Sequence, residues 1–476
     1  MYTGIIFILP EIVISVMACV ILLSDLFINK SNRYLIYYLA QGSLILTVFS
    51  LFYLLNEPNC ILFNGAFVFD AFSVFLKFIV IIITIIIFLY SKKYMTYINI
   101  FNGEYFVLCL MSVLGMMIMI SSGTFLTLYL GLELLSLPIY ALIIMNRNKI
   151  SSEASMKYFI MGSIASGIFL FGISLVYGVT GTIELNLVNK VIVEEEVFSN
   201  ITLKYGLVFI IAGLVFKFGA VPFHMWVPDV YEGSPIPVTL FIGTIPKIAA
   251  LGMAYRLLSD TFLSINSELE LLFIIIGILS LFIGNIFAIS QVDIKRMLAY
   301  SAIAHVGFIF FGFLVSDAHD FSFVTFYITM YIISTLGVFG VVIVLSSKIR
   351  EANFIKDFSF LGIDYPVLGI VMVILLLSLA GVPPTVGFYA KFFILKNLVS
   401  YGYIELAIFA VLMSVIGVFY YLKVIKTMFF EPVINRSEKI GISGMSKLGL
   451  FVIYLNGGFI LLSGIFPSWI LKLCMI

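Results

Sequence analysis

Apolar runs long enough to cross a membrane recur from the first residues of this chain to the last, and between them no polar stretch is large enough for a soluble domain. A helix needs about 20 apolar residues to cross the hydrocarbon core. Fourteen such segments are legible, near 4–28, 34–54, 68–91, 105–121, 124–145, 154–179, 204–223, 235–258, 270–290, 298–315, 321–346, 366–399, 404–429 and 446–470. Backbone groups in lipid must bond within their own segment, so runs of this length predict an all-α polytopic membrane protein. Composition agrees: 62% of residues are apolar and 11% charged, where a soluble domain carries about a quarter charged residues.

The same composition excludes several function classes. A net charge of +1 with dispersed basic residues argues against nucleic-acid binding. Cys19, Cys60, Cys109 and Cys474 form no C-x-x-C pair, and the histidines are His224, His305 and His319 alone. Metal, iron–sulfur and haem sites are therefore not expected. Phosphate-loop and dinucleotide fingerprints are missing too, so no cofactor is expected in this chain. The first run carries Glu11 and Asp25 and lacks a basic leader, and it reads as a retained span.

Loop charges set an expected orientation. Lys30/Arg33, Lys92/Lys93, Arg147/Lys149, Lys295/Arg296, Lys348/Arg350/Lys356 and Arg436/Lys439/Lys447 follow odd-numbered spans. Loops after even spans are neutral or acidic, as in "VIVEEEVF" and "SDAHDF". Cytoplasmic loops hold excess Lys and Arg, so both termini are expected on the opposite side. The alternation holds only if the segment at 204–223 crosses.

A charge at a span centre costs about 2.5–3.5 kcal/mol on insertion scales, so Glu133, Lys157, Lys217, Lys247, His305, Lys391 and Lys423 need reasons. Lys423 reads as snorkelling to the interface. Lys157 and His305 suit either a structural or a functional role. Lys217, Lys247 and Lys391 have apolar flanks that leave less room for the structural reading. Asp70 and Lys77 read as a structural pair where their span begins. Glu133 lies mid-span and needs a basic partner or a proton, and Lys217 and Lys247 are the available cations.

Proline breaks give a second clue. Pro222 and Pro383–Pro384 interrupt apolar runs at membrane depth, which is tolerated only where protein or a water-filled cavity receives the freed carbonyls. Paired interruptions in two halves point to an ion pathway. Glu133 to His305 is 172 positions, Lys217 to Lys391 is 174 and Lys247 to Lys423 is 176. That spacing suggests a repeat of five spans, inverted because five is odd. Pro222 to Pro383 is only 161, and the lysine precedes the break in one half and follows it in the other.

"LTLYLGLELLSLPIYAL", "FKFGAVPFHMWVPDVYEGSPIPVTLFIGTIPKIAAL", "DIKRMLAYSAIAHVGF" and "LAGVPPTVGFYAKF" resemble the antiporter-like membrane subunits of respiratory complex I, the proton-translocating NADH:quinone oxidoreductase. "ILPEIV", "DVYEGSP", a lysine at 391 and the absence of a long lateral helix after the last span favour the N-type group within them. The resemblance covers nearly the whole chain. It implies 14 transmembrane helices with two inverted five-helix repeats and discontinuous helices 7 and 12. The corresponding parts are 1–100 (three helices), 101–260 and 261–432 (the repeats) and 433–476 (the last helix).

By the same resemblance Glu133, Lys217, Lys247 and Lys391 form a proton relay, with Glu133 as the counter-charge of Lys217 and Lys157 in a secondary place; His224 and His305 are expected to assist it, since histidine titrates near neutrality. Flavin, iron–sulfur clusters, NADH and quinone are expected in partner subunits, and quinone reduction there drives the relay. Other complex I membrane subunits, adjacent antiporter-like ones included, are the expected partners. The wider superfamily leaves a multisubunit cation/proton antiporter or membrane hydrogenase as the alternative. A bacterial inner membrane is the expected location, with the mitochondrial inner membrane second.

Overall fold

The computed structural model describes residues 2–29, 32–55, 57–98, 100–194, 200–262, 266–316, 321–346, 351–359, 361–431 and 446–475. Lys30, Glu195, Glu196, Asp317, His319, Asp320, Lys348, Arg350, Arg436 and Lys439, all invoked above, lie outside the described residues. The chain divides into two compact units, residues 1–88, 100–218 and 245–269, and residues 89–99, 219–244 and 270–476.

The first unit holds α1 (Tyr2–Ile6), α2 (Leu9–Phe27), α3 (Tyr34–Leu54), an antiparallel hairpin of β1 (Cys60–Leu62) and β2 (Phe67–Phe69), and most of α4 (Ala71–Tyr97). It continues through α5 (Gly103–Ile120), α6 (Phe125–Ile143), α7 (Lys149–Thr180), α8 (Leu185–Glu194) and α9 (Ile201–Phe218). The second holds α10 (Trp226–Gly233), the start of α11 (Ile236–Tyr255), most of α12 (Asn266–Ser290), α13 (Ile294–Leu314) and α14 (Ser322–Leu345). It ends with α15 (Leu361–Asp364), α16 (Pro366–Ala380), α17 (Val386–Ser400), α18 (Ile404–Phe430), α19 (Lys447–Ile465) and α20 (Pro467–Cys474).

Among the described residues, 13 helices are long and apolar enough to cross a membrane, and α16 is a shorter apolar helix. Caps decide where helices begin. Asn148 accepts from Ser151 N, so α7 begins at Lys149, five residues before the sequence expectation, and Lys157 falls in its third turn. Lys92 and Lys93 fall inside α4, and Lys295 and Arg296 in the first turn of α13, not in loops. Small residues bring helices together: a Cβ on Gly115 of α5 would meet Leu135 N of α6 at 2.4 Å.

Both interrupted crossings stop in the same way, and glycine does the stopping. Gly219 (φ +73°) follows α9 and Gly381 (φ +82°) follows α16, the left-handed conformation that ends helices. A proline follows three residues later in each, Pro222 and Pro384, both on cis bonds. Matching glycine to glycine and proline to proline gives one offset of 162 in both cases, where Pro222 to Pro383 gives 161.

The second break is packed tightly. A Cβ on Gly387, at the start of α17, would meet Ser378 O at 1.8 Å. Gly387→Ala should therefore push the half-helix carrying Lys391 away from α16, at about 1–3 kcal/mol, and lower the thermal midpoint of the assembled protein. An unshifted midpoint would contradict this packing.

Candidate functional site

In the first unit the Lys217 ammonium, in the last turn of α9, donates to Ser136 Oγ at 2.5 Å. Ser136 in turn donates to Leu132 O at 2.5 Å. Glu133, half-buried three residues before Ser136, acts on Lys217 through its charge, but no ion pair joins them. The direct partner of the ammonium is thus a hydroxyl, where the sequence suggested a carboxylate. Lys247 is buried in α11 directly after the in-helix Pro246. Lys157 is exposed and pairs with Glu153 on its own helix at 2.8 Å, the weak kind of pair that contributes about 0.3–0.5 kcal/mol.

Two further charges of this unit find partners that the sequence did not indicate. Asp70 and Lys77 do not pair with each other. Asp70 takes Arg256 at 2.7 and 3.0 Å, and Lys77 takes Glu11 at 2.6 Å. Their closeness at the start of α4 hid the fact that distant helices supply both counter-charges. Arg256 opens a π-helical turn, Arg256–Thr261, after α11.

In the second unit His305 and Lys391 come together. Lys391 Nζ donates to Ala380 O, the last carbonyl of α16, at 2.8 Å. Lys217 precedes its break and Lys391 follows its own. Yet each belongs to the C-terminal end of a first half-helix, where the helix dipole favours a cation. His305 Nδ1 lies 2.7 Å from Tyr327 OH and Nε2 lies 3.2 Å from Tyr421 OH. Two cavities adjoin these groups, and His305 and Lys391 line both.

Lys423 does not repeat the setting of Lys247. It donates to Ile289 O at 3.4 Å and Gln291 O at 3.0 Å, capping the end of α12. The spacing of 176 residues therefore joins a buried lysine to a helix cap. His224 lies in the turn after the first break, and its buried Nδ1 has no hydrogen-bond partner among the described residues.

Asp229 and Glu232 of α10 both hold Arg296, at 2.9 and 2.5 Å. Buried Lys295 caps α10 through Glu232 O at 2.7 Å and Ser234 O at 3.2 Å. The sequence offered Lys295 and Arg296 only as markers of sidedness. Ser136, Tyr327 and Tyr421 were missed as well. Hydroxyls inside apolar runs were their only signal, and that signal is common.

A family model described as "NADH:quinone oxidoreductase/Mrp antiporter, TM" matches residues 122–417. The NADH-quinone oxidoreductase subunit N of Thioalkalivibrio sulfidiphilus is 45% identical over 467 residues, covering 98% of this chain and 96% of that protein. The chain belongs to the subunit N family. The fold agrees with membership: a chain of respiratory complex I from Thermus thermophilus superposes with a TM-score of 0.80 at 25% identity, covering 97% of this chain and 98% of that one. A chain of an archaeal membrane-bound sulfane sulfur reductase superposes at 0.85 with 24% identity, over 98% and 96% of the two chains, and shows the fold alone. Glu133, Lys217, Lys247, His224, His305 and Lys391 all fall inside the stretch that the family model covers.

Proposed function

We propose that this chain is the antiporter-like membrane subunit of an NADH:quinone oxidoreductase and moves protons through a relay of Glu133, Lys217, Lys247 and Lys391. The observation that carries the reading is that Lys391 and His305 together line two cavities beside a broken helix within the membrane-spanning bundle. Irregular backbone at that depth is tolerated where protein or a water-filled cavity receives it. Ionisable side chains within spans mark ion pathways.

In this scheme Glu133 sets the charge environment of Lys217, and Ser136 holds the ammonium until the charge changes. Lys247 carries the proton onward and Lys391 with His305 hands it out, histidine being suited to exchange near neutrality. Lys157 and His224 have secondary parts. The two crossings with a shared glycine–proline break support an inverted five-helix repeat, with 1–100 and 433–476 flanking 101–260 and 261–432. We place the protein in a bacterial inner membrane with both termini on the periplasmic side. Flavin, iron–sulfur clusters, NADH and quinone belong to partner subunits, among them adjacent antiporter-like ones.

Lys217→Ala in the assembled enzyme is expected to lower the protons moved per NADH oxidised while oxidation of NADH by an artificial acceptor continues. An undiminished ratio would remove Lys217 from the relay. Purification from native membranes separates the complex from a cation/proton antiporter: flavin and iron–sulfur subunits should accompany the chain.

A further inference from the structure

We propose that Ser301, Tyr421, Tyr420 and Asn285 form a supply limb that delivers protons to His305 from the end of the second unit where α12 stops and α13 starts. The inference rests on the relay reading above and names a path that the relay residues alone do not define.

His305 is buried midway along α13, and both of its ring nitrogens face phenol hydroxyls. A neutral imidazole has one donor and one acceptor nitrogen. A proton arriving at one nitrogen can therefore leave from the other. Tyr421 OH also meets Ser301 Oγ, at 2.5 Å and one helical turn before His305. Ser301, Tyr421, His305 and Tyr327 thus form one unbroken hydrogen-bonded row. Beside it Tyr420 OH donates to Asn285 Oδ1 at 3.3 Å.

Placement gives the row a direction. Asn285 lies five residues before the end of α12 and Ser301 seven residues after the start of α13, each within about 11 Å of that end at 1.5 Å per residue. Lys423, two residues beyond Tyr421, caps carbonyls there. Tyr327 lies instead near the start of α14, the helix that follows α13.

The cavities divide in the same sense. One is lined by Asn285, Ser414, Tyr420 and Tyr421, the other by Tyr327, Tyr331, Ser334 and Ser378. His305 and Lys391, shared by both, stand between them. In each transfer Ser301 takes a proton from water and gives its own to Tyr421, Tyr421 gives its hydroxyl proton to Nε2, Nδ1 gives its proton to Tyr327, and Tyr327 releases its hydroxyl proton to water in the cavity that it lines. No electron changes hands, and the hydroxyls and the imidazole then reorient to restore the starting tautomer.

The titratable groups that face His305 are Tyr327 and Tyr331 of α14, Tyr421 of α18 and Lys391 of α17, whereas Asp229 and Glu232 of α10 meet α13 at Arg296, nine residues earlier, and are engaged there. Tyr421→Phe keeps the ring against Tyr420, with centroids 4.4 Å apart, and removes only the hydroxyl. In proteoliposomes of the whole enzyme we expect proton delivery to His305 to slow about 100-fold. This should lower the protons moved per NADH, with a deficit that deepens from neutral to alkaline pH. Ser301→Ala should do the same, and it carries the test if Tyr421→Phe fails to assemble. Wild-type ratios in both variants, with a lowered ratio in Lys217→Ala, would overturn the limb and leave the relay standing. A wild-type ratio in Lys217→Ala as well would overturn both. A deficit equal at every pH would mark a packing role and overturn the limb.

Discussion

Arg256→Ala should destabilise the chain by about 3–5 kcal/mol, the cost of breaking a buried ion pair from one side. The guanidinium is 2% exposed. It meets Asp70 at 2.7 and 3.0 Å and Asp260 at 3.3 Å, and it donates through Nε to Ile120 O at 3.1 Å. Its removal leaves two carboxylates and a carbonyl without their cation. The measurement is the amount of chain recovered in assembled complex, with the thermal midpoint of what assembles. Full recovery would mean that the carboxylates are hydrated instead of paired.

The pH dependence of this contribution has a definite sign. Burial alone would raise the Asp70 carboxyl, but the charge of Arg256 and its hydrogen bonds hold it below the usual carboxylate range. A carboxylate depressed in the folded state contributes fully above its unfolded pKa of about 3.9. That contribution fades as pH falls through the lowered value. The deficit of Arg256→Ala should thus be constant near neutrality and shrink only in strong acid.

Lys391→Met should abolish proton movement through the second unit while nearly preserving side-chain volume. The substitution removes the donor to Ala380 O, leaves the C-terminal end of α16 without its cation, and takes the titratable group from the wall shared by both cavities. Losing a positioned proton carrier costs about 10²–10⁴-fold in transfer rate. The check is NADH-driven acidification against NADH oxidation by an artificial acceptor in one preparation. Unchanged acidification would assign Lys391 to helix capping alone.

Much of this protein is legible from residue order because lipid imposes simple demands. Apolar length fixes the crossings, and charge inside a crossing marks the candidates, so Lys217, Lys247, His305 and Lys391 stand out before any fold is known. Cap and break geometry is half legible. Gly219 and Gly381 end their helices where proline alone had suggested the break, because a left-handed glycine terminates a helix before proline must. The offset of 176 joins Lys247, a buried ammonium, to Lys423, which caps a neighbouring helix, and residue spacing does not distinguish the two.

Sequence by itself determined the membrane class and pointed to the ionisable residues proposed to carry protons, both of which depend on local composition and helical pitch. Tertiary structure alone decided the partners. It gave Lys217 to Ser136, Asp70 to Arg256, Lys77 to Glu11 and His305 to two tyrosines. Each of these contacts joins different segments of the chain, and a buried charge or imidazole takes whichever polar group packing brings within hydrogen-bonding distance.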